Sequence, residues 1–341
     1  MQLLHVDASL EKHWNDYVKF RTGAVTDLFG WRRVVWDAYR IPSHFIAVED
    51  NGAFVGSLGL FQIKHRIFGH YLTTAIFSTD GGLYYDNARV LNFLITEAKR
   101  LANKLGVDYL SIRTRGIELE GFTIDRHYRT SVLDMNEGVD AVWEKALRAK
   151  TRNQVRRGIQ EGFTIQTGHD QREAFYRVFH THMRDLGSPA HSRHFYRAIE
   201  RHLGDKARFI VVRDGRNPVA GALLLELNGT AMNIQTVALK QYNRRCPNYL
   251  LYWDMIRNSC VRGNRRFDMG RSEEGSPNLG FKKHWGAQSI ELNYNYYLAN
   301  LDERPYLDPR NPKYRLAIAV WKQLPLAITR FLGPRLIRGL A

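Results

Sequence analysis

From residue 88 to residue 105 the apolar side chains Val90, Leu91, Leu94, Ile95, Ala98, Leu101, Ala102 and Leu105 recur every three or four positions, and Gly106 follows directly. That period predicts a helix with one buried face, ended by a residue suited to the left-handed conformation. Residues 9–20 read as a shorter helix, with Ser9 as its cap and Leu10, Trp14, Tyr17 and Val18 on one face. A second helix carries Phe29, Trp31, Val34, Val35 and Ala38 and stops before Pro42. Residues 45–48 and 54–62 read as two strands joined at Asp50-Asn51-Gly52, a strong hairpin signal. An apolar stretch at 71–77 leads to a Gly81-Gly82 turn, and after the long helix residues 107–113 return to strand.

The order then repeats. FIAVEDNGAFVGSLGL, from Phe45, is answered by FIVVRDGRNPVAGALLL, from Phe209, and residues 106–113 are answered by 263–271. Two copies of one α/β unit account for this better than one large domain. Between them Val139, Val142, Trp143, Ala146 and Leu147 form a helical stripe, and the continuation carries Lys145, Arg148, Lys150, Arg152, Arg156 and Arg157 with Glu144 and Glu161 opposing. We divide the chain into a first α/β unit at 1–138, a basic linker helix at 139–162, a second unit at 163–304 and a tail at 305–341. No acidic residue follows Asp308, and the tail reads as two short basic amphipathic helices broken at Pro325 and at Gly333-Pro334, with Lys313, Arg315, Lys322, Arg330, Arg335 and Arg338 among its apolar positions.

Composition narrows the partners. The 341 residues include 50 basic and 34 acidic ones, a net charge of +16, which favours RNA, anionic lipid or a phosphorylated carrier. Cys246 and Cys260 are the only cysteines and lack metal-ligand spacing. His180, His182, His191 and His194 cluster in sequence, but no carboxylate or cysteine completes a zinc pattern, so no metal is expected. No window approaches the ~18 uninterrupted apolar residues of a spanning helix. The expected location is the cytoplasm, with peripheral membrane contact through 313–341.

The stretch with most chemistry is RRFDMGRSEEGSPNLGFKKHWG, residues 265–286. It reads as a strand end at Phe267-Asp268-Met269, a polar loop at 270–280, and two lysines and a histidine between Phe281 and Trp285. Such a loop suits an active-site wall; equally, the two aromatics can anchor it on a core.

F-D-M-G-R followed by F-K-K-H-W-G resembles the C-terminal signature of Fem-type acyltransferases, and more narrowly the FemAB-related proteins that accompany exosortase (PEP-CTERM) and exopolysaccharide systems. The tandem repeat, the basic linker and the tail extend the resemblance over nearly the whole chain. It implies two domains of the GNAT acyltransferase fold, each a twisted mixed sheet flanked by helices. It implies transfer of an acyl or aminoacyl group to an amine or hydroxyl of a cell-envelope, exopolysaccharide or peptidoglycan-type precursor. The co-substrate would be acyl-CoA or aminoacyl-tRNA, with no permanently bound cofactor.

On that basis Lys282 is assigned to stabilising charge at the reacting carbonyl, and Asp268 and His284 are the candidate bases. Arg271, Arg184 and Arg193 would bind an acceptor carboxylate or phosphate, with Phe281, Trp285 and Asn248 completing the binding set. Arg148, Arg152, Arg156 and Arg157 would follow a polyanion such as tRNA. One departure concerns the donor. Where CoA-using members resemble one another in a glycine-containing turn, R/Q-x-x-G-x-G/A, this chain has Arg244-Arg245-Cys246-Pro247-Asn248. The alternative class is a non-catalytic protein that binds RNA or anionic membrane within an envelope assembly system.

Overall fold

The computed structural model describes residues 1–21, 23–304 and 312–340, excepting the side chains of 312–314. The side chain of Lys313 and the 304/305 boundary fall outside what is described. The chain divides into two compact units: Met1–Arg129 with Ile290–Tyr306 and Arg338–Ala341, and Thr130–Ser289 with Leu307–Ile337.

In chain order the strands are β1 (Gln2–His5), β2 (Ser43–Asp50), β3 (Ala53–His65), β4 (Gly69–Thr73), β5 (Leu83–Tyr85), β6 (Tyr109–Arg115) and β7 (Thr123–Asp134). They continue as β8 (Thr164–Thr167), β9 (Ala207–Asp214), β10 (Asn217–Leu227), β11 (Thr230–Ala238), β12 (Arg266–Glu273) and β13 (Gln288–Leu298). In the first unit β1, β2, β3 and β4 are neighbours in that order, then β6, then β13. In the second the order is β12, β11, β10, β9, β8. Both copies therefore have the same mixed design: an antiparallel hairpin, β2–β3 or β9–β10, a third antiparallel strand, and a helical crossover to a parallel partner, β6 on β4 or β12 on β11. The fold is a tandem pair of α/β units, as the repeat implies, each of the GNAT-like design that the resemblance implies.

Local chemistry explains the framework. Asn51 and Gly52 both take positive φ, 50° and 79°, the backbone a two-residue hairpin turn requires. Helix Ala88–Leu105 starts where Asn87 Oδ1 accepts from Val90 N and ends at Gly106, φ 61°. Its buried face, Val90, Leu94, Ala98 and Ala102, closes the first core over Leu58, Leu60, Leu72, Leu110 and Ile112. The second core gathers Val212, Ala222, Leu224, Leu251, Met255, Phe267 and Trp285. The first helix is capped differently from the sequence reading: Asp7 Oδ1 accepts from Ser9 N at 2.9 Å, a short 3-10 turn follows, and the α-helix proper is Glu11–Phe20.

Three boundaries also differ. Residues 290–298, read as the end of the second copy, complete the first unit: β13 pairs antiparallel with β6, Leu292 opposite Arg115 and Leu298 opposite Tyr109. The buried Asn295 fixes that register, donating to Ile112 O and accepting from Leu119 N. The linker is not one helix. A π-helical turn at Val142–Ala146 is followed by extended backbone at Leu147 and Arg148 before helix Ala149–Gln160 begins. Finally, Gly333-Pro334 does not break the tail, because helix Leu326–Ile337 runs through it while Gly333 presses against the backbone of Ala190. Among the described residues, no helix is long and apolar enough to cross a membrane.

Candidate functional site

β11 and β12 pair over only three residues, from Thr230 opposite Arg266 to Met232 opposite Asp268. Beyond that point β11 stays with β10 as far as Ala238 opposite Ala220. The departure coincides with a bulge: Leu224 faces Asn233 but Leu223 faces Gln235, so Ile234 is the extra residue. Such bulges re-aim side chains where a parallel pair opens. Asn233 Nδ2 donates to Tyr252 Oη at 3.1 Å, and Thr236 Oγ1 donates to Asn233 Oδ1 at 2.6 Å. A polar lane, Asn233, Thr236 and Tyr252, thus lies along the diverging strand. None of the three was singled out from sequence; the available signal was the polar alternation N-I-Q-T inside an apolar strand.

Lys282 sits where β12 leaves β11. Its Nζ donates to the carbonyl oxygens of Gly270, at 2.6 Å, and Arg271, at 2.9 Å, the first residues beyond the paired segment and Met269. The lysine is only 6% exposed. Burial pushes its pKa down to about 8, partly opposed by the negative charge of Asp268, with the positive charge of Arg271 acting in the same direction as burial. Asp268 is 1% exposed, and its Oδ1 accepts from Thr130 Oγ1 at 2.9 Å and Gly270 N at 2.8 Å. Two of the three ammonium protons are held by the backbone. That leaves a third donor on a cation fixed in low dielectric.

The segment carrying Lys282 is not the long loop read from sequence. β12 extends to Glu273, and after a short turn Ser276 caps helix Pro277–Lys283, accepting from Leu279 N at 3.3 Å with Pro277 in the first turn. Proline is well tolerated there, so the Pro277 that reads as a breaker starts the helix. Phe281 packs edge-on against Tyr249 and Tyr252, ring centres 5.4 and 5.2 Å away. Trp285 is wholly buried and stacks on Tyr249, so it anchors the segment and has no face to offer a ligand. The carbonyl of His284 accepts from Arg148 N and Thr151 Oγ1, which ties the helix end to the linker.

Other expected residues are placed elsewhere or otherwise occupied. Arg184 donates to Asp185 and to the Leu324 carbonyl in the tail, and Arg193 pairs with Glu173 at 3.2 Å over the Tyr176 ring. Among the described residues, no contact of either reaches Lys282. Arg271 is exposed on β12 beside the lysine. Arg152 donates to the carbonyls of Trp143, Glu144 and Leu147, closing the π-helical turn rather than facing solvent. Arg156 donates to Asn153 and lies over Trp143, Arg157 is 3.9 Å from Glu161, and Arg148 is exposed. The four histidines do not converge: His180 and His191 are buried, and the latter stacks on Phe195 at 4.1 Å, while His182 meets the Ala238 carbonyl.

The turn before helix Pro247–Val261 fits a CoA pyrophosphate poorly. Cys246 holds the left-handed position at φ 58°, Pro247 contributes no N–H, and Arg245 is occupied by Glu161 and Asp214, each at 2.5 Å. Asn248 is half-buried in the first turn of that helix.

In the first unit the corresponding strands do not part in this way. Past Thr73 opposite Ser111 the chain remains on β6: Thr74 N donates to Ser111 O, Arg113 N to Thr74 Oγ1, Arg113 Nη1 to Ala75 O and Gly81 N to Arg113 O.

Residues 145–283 match the family model described as acetyltransferase (GNAT) domain. No curated protein matches the sequence. Among solved structures the chain is similar to FemX, with 14% identity, 93% of this chain and 100% of that one covered and a TM-score of 0.67. It is also similar to the C-terminal domain of a putative lysylphosphatidylglycerol synthetase from Agrobacterium fabrum (12% identity, 84% and 91% covered, TM-score 0.57). A third is a tandem GNAT protein from the clavulanic acid biosynthesis pathway (13%, 89% and 99%, TM-score 0.56). At these identities the similarities establish the tandem GNAT fold.

Proposed function

We propose that the second unit is an acyl- or aminoacyltransferase site acting on an amine or hydroxyl of a cell-envelope, exopolysaccharide or peptidoglycan-type precursor in the cytoplasm. The observation that carries this reading is Lys282: a buried ammonium with one uncommitted donor, fixed where β11 and β12 part. The match of 145–283 to an acetyltransferase domain supports the reaction class.

In this reading the acceptor's nucleophile attacks the donor's ester or thioester carbonyl between the diverging strands. Negative charge develops on the carbonyl oxygen, and the third Nζ–H of Lys282 donates to it; such a donor, already oriented, needs no reorganisation as the charge forms. Collapse of the tetrahedral species expels the leaving group, and the nucleophile's proton passes to His284. Asp268 acts as a positioning residue, since its Oδ1 already accepts two hydrogen bonds and its charge holds Lys282 cationic. Arg271 and Asn248 face the substrate, with Phe281 fixing the lysine's helix.

The poor fit of the Cys246-Pro247 turn to a pyrophosphate favours aminoacyl-tRNA as donor, with the Arg148, Arg156 and Arg157 side of the linker following its backbone. The test is transfer of label from charged tRNA or acyl-CoA to an extract of lipid- and nucleotide-linked envelope precursors. Label should move from tRNA with the parent and fall on the order of a hundredfold with Lys282→Ala. Undiminished transfer by that variant would remove the assignment.

A further inference from the structure

The two tail helices, Pro312–Gln323 and Leu326–Ile337, dock on the second unit by their inner faces. Ile318 packs on Gly187, Gly333 on the Ala190 backbone, and Trp321 and Thr329 are buried. Their outer faces should then be polar, as on an ordinary surface helix. They are not. Leu316 is 69% exposed, Val320 52% and Phe331 61%, with Ile328 and Leu332 exposed beside them. Leu316 and Val320 are four residues apart, as are Ile328 and Leu332, so each helix presents an apolar ridge to solvent. Arg315, Lys322 and Arg335 are exposed on the same helices, and no acidic residue occurs after Asp308.

We propose that this outer face is a docking surface for an anionic lipid bilayer. An apolar ridge on helices whose own charged residues are all cations suits the headgroup boundary, where aliphatic and aromatic side chains enter by about 5–10 Å and cations meet lipid phosphate. Charge argues against a second copy of the chain as occupant, because the tail helices of both copies carry cations and no carboxylate, the nearby Asp185 being already paired with Arg184. The inference is independent of acyl transfer: it needs only the docked tail.

The experiment is co-sedimentation of the full chain with phosphatidylglycerol vesicles and phosphatidylcholine vesicles. The parent should bind the first, weakly bind the second, and lose affinity as salt rises. Each cation near an anionic surface is worth about fivefold, so R315Q/K322Q/R335Q should weaken binding to phosphatidylglycerol by about a hundredfold. L316S/V320S/F331S should weaken it at least tenfold while keeping the parent melting temperature, since these side chains leave little packing behind. Should the triple variant fail to fold, Phe331→Trp in the otherwise intact chain gives a second reading: the emission that it adds over the parent's seven tryptophans should shift to the blue on adding phosphatidylglycerol vesicles. No sedimentation of the parent, no loss in either triple variant, or an unshifted difference emission between the Phe331→Trp protein and the parent would overturn the proposal. So would a concentration-dependent dimer, erased by L316S/V320S/F331S, in a protein that ignores vesicles.

Discussion

Lys282 Nζ lies 2.6 Å from the carbonyl oxygen of Gly270, a residue twelve positions earlier on the strand that has just left its parallel partner. This contact joins the end of a seven-residue helix to the open edge of β12. A neutral side chain of similar length would leave two backbone acceptors unmet in a buried site, at about 1–3 kcal/mol each. Lys282→Met should therefore lower the melting temperature as well as cut transfer on the order of a hundredfold, whereas Lys282→Arg should keep part of both.

The lysine also sets a pH limit. With a folded pKa of about 8 against an ordinary 10.5, the ammonium required for oxyanion binding is lost as pH rises through about 8, and kcat/KM should fall there. Stability runs the other way: between pH 8 and 10.5 the unfolded chain holds more protons, so the parent should gain stability with rising pH relative to Lys282→Met. A basic limb near 10 would disconnect Lys282 from the reaction.

Asp268→Asn separates positioning from chemistry. Removing the anion that opposes the burial effect lowers the lysine pKa further, so the basic limb of kcat/KM should move below pH 8. A merely structural aspartate would cost stability, about 3 kcal/mol for breaking a buried charged pair, without moving the limb.

Much of the framework was legible because its signals are local. Asn87, the apolar face of the next eighteen residues and Gly106 define one helix completely, and Asn51-Gly52 defines a hairpin. The exchange of β13 into the first unit was not, because strand pairing between Leu292 and Arg115 leaves no trace in either segment alone. Lys282 was picked out through a motif resemblance, but its helix was hidden by Pro277 and Gly280, which look like breakers and act as a first-turn residue and a tolerated interior one. The lane of Asn233, Thr236 and Tyr252 depends on a bulge at Ile234 that only the register reveals.

Packing of the linker gives a prediction remote from the chemistry. A Cβ at Gly158 would fall 2.9 Å from the Cys246 carbonyl oxygen and 3.0 Å from Leu250 Cβ, where helix Ala149–Gln160 crosses helix Pro247–Val261. Gly158→Ala should destabilise by about 1–3 kcal/mol in denaturant unfolding despite alanine's better helix propensity, because backbone on the facing helix has to move.

Acid stability should be governed in part by two buried histidines. Burial pushes His180 down to about 4, helped by the charges of Arg330, Arg184 and Arg193, and burial alone takes His191 to about 3. From pH 6.5 downward the unfolded chain binds protons that the folded chain refuses, so stability should fall with acid through that range. His191→Phe, which keeps the stacking on Phe195, and His180→Phe should each flatten the dependence of melting temperature on pH between 6.5 and 4.

The most direct measurement of the central claim is thermal protection of the parent and of Lys282→Ala by charged tRNA, uncharged tRNA and acyl-CoA. At a hundred times its dissociation constant a ligand adds about 2.7 kcal/mol. Charged tRNA should stabilise the parent clearly more than uncharged tRNA does, and that difference should vanish in Lys282→Ala. Equal protection of both proteins by every donor, or protection of the parent by none, would contradict an acyl-transfer site at Lys282.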